Sequence, residues 1–143
     1  MPPFKLKQID HVVLRVKDLK ASLAFYVDVI GCEVEKFQPN LGLYQVRAGE
    51  SLIDLVPVDE PLGRKGGAPA GTEGRNLDHF AVQISPFDDA AIRAHLRGHG
   101  IDVAEAGERY GAEGDGPSIY VADPDGNTVE LKGPPSRPRA PIL

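Results

Sequence analysis

Two histidines stand at the same point of two similar apolar segments: His11 in "IDHVVLRV" (Ile9 to Val16) and His79 in "LDHFAVQI" (Leu77 to Ile84). Two carboxylates make a second matched pair, Asp54 within "LIDLV" and Glu130 within "TVELK". Imidazole and carboxylate are ligands that iron, manganese, nickel, zinc and cobalt accept, according to geometry. Two His and one carboxylate on one face, with coordination positions left open, suit a catalytic site rather than a closed structural one. A carboxylate among apolar strand neighbours is also costly unless it is paired or binds a metal. A single His beside an apolar strand is more often structural; the repetition is what favours metal binding here. The four residues are too far apart in the chain for one turn or one helix face, so the fold has to gather them.

The elements that must do so read as two copies of one unit. After the first segment, Leu19, Leu23, Tyr26 and Ile30 recur at helical spacing, with Asp18 as N-cap and Gly31 as the stop. After the second, Ser85 and Pro86 open a helix, Ile92 and Leu96 give its apolar stripe, and Gly100 closes it. Each helix leads into three short β-rich stretches: "CEVEKF", "LYQVRA" and "SLIDLVPV" in one half, "IDVAEA", "PSIYVA" and "NTVELK" in the other. "DPDGN" (Asp123 to Asn127) is a strong turn signal between the last two. Both halves therefore read strand, helix, strand, strand, strand, and duplication of a βαβββ unit is the simplest account. Residues 1–143 form a single domain, with repeats at 9–57 and 77–132. Loop 58–76 is rich in Gly and Pro, and tail 133–143 carries too much proline for a helix or central strand.

Alternation along a strand predicts which residues share a face. Val12, Leu14 and Val16 belong under a helix, which leaves His11, Val13 and Arg15 on the opposite side. In the matching strand Phe80, Val82 and Ile84 go under, and His79, Ala81 and Gln83 face away. The same rule sets Asp54 and Glu130 opposite the apolar pairs Ile53/Leu55 and Val129/Leu131. Curling such a sheet would gather two imidazoles and one or two carboxylates at the floor of a trough. Glu130 or Asp54 could then act as a base, Tyr120 as an acid or substrate anchor, and Arg15 and Gln83 as groups orienting an anionic substrate. The plainer readings are a packed Tyr120, structural hydrogen bonds from Arg15 and Gln83, and a solvated loop around Arg64 and Lys65. His95 and His99 read as surface or packing residues, and Leu43 and Gln45 as candidates for setting specificity.

A chain of 143 residues, 41% apolar and 26% charged, suits one globular domain. A formal charge of −5 argues against nucleic acid, whose phosphates need a basic face. There is no run of about eighteen apolar residues to span a membrane, and "MPPFKLKQID" lacks the apolar core of a signal peptide. The single cysteine, Cys32, cannot form an internal disulfide and reads as an ordinary strand start. These features point to a cytoplasmic protein with a small-molecule partner.

The two His segments, together with "LRGHGIDV" and "VADPDGNTVEL", resemble the vicinal oxygen chelate superfamily, the glyoxalase/bleomycin resistance protein/dioxygenase proteins, from Ile9 to Leu131. That resemblance implies an α+β fold in which two βαβββ modules form a cupped mixed sheet around a divalent metal ion, in a homodimer. By position, His11, His79 and Glu130 match the ligands of the family's two-His-one-Glu members. Asp54 stands where glyoxalases place a fourth ligand, usually the longer Glu. The resemblance implies a glyoxalase-like, metal-dependent lyase or isomerase acting on a substrate with vicinal oxygens. The alternatives are an extradiol-type dioxygenase, a fosfomycin-resistance-type thiol transferase and a non-catalytic drug-binding protein. Many extradiol dioxygenases carry a second pair of modules, for which this chain has no room. The potassium-binding serine-rich loop of the thiol transferases is not evident, and drug-sequestering members often lack the ligands kept here.

Overall fold

The structure, a computed structural model, describes residues 1–139. It divides into two compact units, Met1–Ala70 and Gly71–Leu143, each with the predicted βαβββ order.

In the first unit β1 (His11–Val16) leads through Asp18 into α1 (Leu19–Leu23). The Asp18 carboxylate accepts the Ala21 N–H at 3.1 Å, as an N-cap should. The helix runs on into a wider turn over Ala24–Val29, in which the Ile30 N–H reaches back five residues to the Phe25 carbonyl. This turn shifts the helical phase, so Phe25 is buried beside Tyr26 although the 3.6-residue spacing selects only Tyr26. Their rings meet edge to face at 5.0 Å. Gly31, with φ +95°, ends the segment as predicted. β2 (Glu33–Gln38), β3 (Leu43–Ala48) and β4 (Ser51–Pro57) complete a mixed sheet in the order β1-β4-β3-β2. β1 pairs parallel to β4, setting Val13 opposite Asp54 and Arg15 opposite Val56. Leu14, Val16, Val46, Ile53 and Leu55 supply the buried side. Loop 58–76 is more structured than its composition suggests, because a short helix, α2 (Pro61–Arg64), forms in it. α2 lies so close to the end of β4 that a Cβ on Gly63 would sit 1.8 Å from the Pro57 carbonyl oxygen. Only glycine fits there.

The second unit repeats the plan. β5 (His79–Gln83) pairs parallel to β8 (Thr128–Lys132), and the sheet order is β5-β8-β7-β6. Its buried side is built from Ile119, Val121, Val129 and Leu131, and Leu96 of α3 (Asp89–Gly98) is 1% exposed. Helix α3 starts later than Ser85-Pro86 predicts. The ladder carries on to Ile84, whose N–H donates to the Lys132 carbonyl, so residues 85–87 become the connection. Asp88 then caps the helix by accepting the Ala91 N–H at 3.1 Å. β6 (Glu105–Gly111) also starts later than "IDVAEA" suggests, and β7 (Gly114–Ala122) follows it. The "DPDGN" turn joins β7 to β8. Part of the proline-rich tail is ordered as β9 (Arg137–Pro138), paired with β7; positions 140–143 lie outside the described residues. Among the described residues no helix is long and apolar enough to cross a membrane.

Candidate metal centre

The two alternating strands expose the sides that carry the histidines. In β1, Leu14 and Val16 are buried while His11 and Val13 face outward; in β5, His79, Ala81 and Gln83 are the exposed set. In the second unit Glu130 sits between Ala81 on β5 and Tyr120 on β7. Its carboxylate is 5% exposed, and Oε1 stands 3.3 Å from His79 Nε2. The buried Ser118 hydroxyl donates to the other oxygen, Oε2, at 2.6 Å, which fixes the carboxylate's rotation. Tyr120 packs its ring edge to face on His79 at 5.9 Å. Partial burial and then the neighbouring Glu130 raise the Tyr120 phenol above its ordinary range, against a weaker opposing pull from Arg109. The Arg109 guanidinium lies 5.4 Å from the centre of the Tyr120 ring.

The first unit holds the same arrangement. His11 Nε2 stands 3.9 Å from Oδ2 of Asp54, a carboxylate only 4% exposed. Gln45, directly opposite on β3, donates its amide to Asp54 Oδ1 at 3.2 Å.

Both histidines are held by a residue the strand pattern does not select. Asp10 Oδ2 lies 2.7 Å from His11 Nδ1, and Asp78 Oδ2 lies 2.6 Å from His79 Nδ1. A proton kept on Nδ1 by the aspartate leaves the Nε2 lone pair of the neutral ring for a cation, and it locks the ring's orientation. The signal was present as a repeated Asp-His dipeptide.

These aspartates also set the proton affinity of the rings. His79 is raised above its ordinary value chiefly by the bond to Asp78, with Glu130 adding to it and partial burial opposing. His11 is raised chiefly by Asp10 and then by Asp54. The imidazolium gains its partner on folding, so the stabilisation is present below the ordinary histidine pKa and lost as pH rises through the raised folded value. Metal binding has the opposite demand, since a ligating imidazole must be neutral. Asp78→Asn keeps an acceptor but removes the charge. The His79 titration midpoint in metal-free protein, followed by NMR, should therefore fall towards the ordinary value, while that of His11 stays in place.

Each unit thus supplies one imidazole–carboxylate pair whose donor atoms suit a divalent ion with nitrogen and oxygen ligands. Within neither unit, among the described residues, do three His, Cys, Asp or Glu side chains form a group that could hold an ion.

Arg15 lies on the His11 face, but its guanidinium holds the loop after β4. Nε donates to the Gly63 carbonyl at 3.0 Å, Nη1 to Ala68 at 3.0 Å and Nη2 to Gly67 at 2.6 Å. Gly66 comes so near that a Cβ there would be 2.2 Å from Arg15 Nε. Arg64 and Lys65 belong to the segment so held. Arg15→Ala should make the chain far more sensitive to trypsin at these two positions, and equal cleavage rates would show that the clamp is not what orders the loop. Gln83 is exposed at the far end of β5, and Leu43 is half-buried on β3. Cys32 is 5% exposed, and burial pushes its thiol up to about 11, so it is an inert packing residue. His95 and His99 are exposed on and just after α3.

The family model described as the Glyoxalase/Bleomycin resistance protein/Dioxygenase superfamily matches residues 8–131, and the chain belongs to that superfamily. It is 32% identical over 127 residues to a virulence protein of Salmonella typhimurium, covering 88% of this chain and 83% of that one. The crystal structure of that virulence protein superposes with a TM-score of 0.73 at 26% identity, covering 92% of this chain and 99% of that one. A lactoylglutathione lyase from Agrobacterium tumefaciens superposes with a TM-score of 0.64 at 26% identity, with 90% and 95% covered. A catechol-2,3-dioxygenase of Bacillus subtilis is 28% identical over 133 residues, 92% of this chain but 42% of that protein.

Proposed function

We propose that the protein is a cytoplasmic, divalent-metal-dependent enzyme of the lyase or isomerase kind, acting on a small substrate with two neighbouring oxygens. The observation that carries this reading is the repeated Asp–His–carboxylate relay, in which an exposed aspartate orients each imidazole towards a buried acid. His11, His79 and Glu130 would hold the ion, with Asp54 as a fourth ligand or as a base. The halves would complete the set together, in one chain or across a homodimer. When bound, such an ion stabilises negative charge developing on the substrate oxygens.

The chain's own groups supply the rest. Asp54, steadied by Gln45, or Glu130 where it is displaced from the ion, would take a proton from a substrate carbon and return it to the neighbouring carbon. Tyr120, kept protonated by its surroundings, would donate a hydrogen bond to a substrate oxygen. This reading draws further support from the likeness to a lactoylglutathione lyase.

The expected result is turnover of a hemithioacetal or related dicarbonyl adduct that vanishes on chelation and returns with nickel, zinc, cobalt or manganese. A second reading, an extradiol-type dioxygenase, is favoured by the two-His-one-carboxylate set, which suits iron(II). Oxygen uptake with catechols in iron-loaded protein would select it. An ion bound firmly with no turnover on either panel would reduce the protein to a ligand-binding module.

A further inference from the structure

We propose that His95 and His99 form a second, separate metal site on the exposed side of α3, taking copper(II), nickel(II) or zinc(II) between two imidazoles. Residues four apart on a helix stand one turn above each other. Leu96, 1% exposed, turns the helix so that its neighbour His95 and, one turn on, His99 stay at the surface. Their ring centres are 4.8 Å apart, with the planes at 65°.

That spacing is what a chelate needs. A metal–imidazole nitrogen bond is about 2.0–2.1 Å, and the ring centre lies roughly 1.1 Å beyond it, so two rings bound side by side at about 90–109° are roughly 4.5–5.2 Å apart. The observed distance falls inside that interval, so the two rings already stand within chelating reach of one ion. The last turn of a helix carries partial negative charge, which favours a cation there. Arg97 on the same turn opposes it, while Arg93 is neutralised by Asp89 at 2.8 Å. With two protein ligands and water at the other positions, the ion would exchange readily, and copper(II) would bind more tightly than nickel or zinc. The pair shares no residue with the proposed ligand set of His11, His79 and Glu130, so either site can exist without the other.

The test uses untagged, full-length protein stripped by chelation and titrated with copper(II) and nickel(II). Wild type should bind one equivalent more than His95→Ala/His99→Ala, and should be retained on immobilised nickel where the double variant is not. Because the two imidazoles act as one chelate, either single substitution should weaken this equivalent on the order of 100-fold. His79→Ala should retain it unchanged. Copper(II) EPR of the His79→Ala protein should show two nitrogen ligands. Equal stoichiometry in wild type and a folded double variant, verified by circular dichroism, would overturn the proposal. So would loss of the equivalent in His79→Ala.

Discussion

Alanine at position 79 is expected to leave a folded protein that has lost the ion at the imidazole–carboxylate centre. Turnover should fall by more than the roughly 10–100-fold that loss of an outer partner of a ligand costs. The His79 side chain is 39% exposed, so its removal costs little packing. What goes is the ring contact with Tyr120, worth about 0.5–1.5 kcal/mol, together with the links to the exposed Asp78 and to Glu130. Oε1 of Glu130 loses its imidazole, but Oε2 still accepts from Ser118, so the buried acid keeps an anchoring hydrogen bond and the sheet stays folded. Elemental analysis should be done in a background lacking His95 and His99, so that an ion on α3 is not counted. Unchanged metal content would remove His79 from the ligand set.

Asp123→Ala should have the largest effect on stability. This carboxylate, 5% exposed, accepts the backbone N–H groups of Asp125 at 2.9 Å and Asn127 at 2.8 Å, and the Asn127 side-chain amide at 2.8 Å. Asn127 is itself 2% exposed, so its donors would be left buried and unmet. Each such orphan costs about 1–3 kcal/mol. A melting temperature lower by roughly 10 °C is expected for a chain of this size. Asp123→Asn, which retains one oxygen acceptor, should fall between. The turn also delivers β8 in register, setting Glu130 opposite Tyr120, so metal affinity should weaken with it. A melt within about 2 °C of wild type would show that the turn holds without its carboxylate.

Much of this was legible before any coordinates. Period-two alternation tells the His faces of β1 and β5 from their apolar faces because the His side of each strand is the more exposed one. Turn chemistry located the join between β7 and β8. Other features escaped for identifiable reasons. Neighbouring residues in a strand point to opposite sides, so alternation discards Asp10 and Asp78 as partners of His11 and His79. Both lie just ahead of the strands that start at His11 and His79, outside the stretch to which alternation applies. Arg15 was assigned the correct face, but no pattern announces which carbonyls a long side chain will reach. Ser85-Pro86 predicts too early a start for α3, because the ladder extended to Ile84 keeps residues 85–87 out of the helix. The burial of Phe25 depends on a widened turn that has no compositional mark.

Each sheet divides its labour between two sides. Leu14, Val16, Val129 and Leu131 secure the fold from one, while His11, His79, Glu130 and Tyr120 stand on the other. Selection can therefore exchange the reactive complement without disturbing what makes the chain fold. An ancestral module built this way is free to diversify, and relatives named as a lyase, a dioxygenase and a virulence protein are the kind of radiation such a scaffold permits.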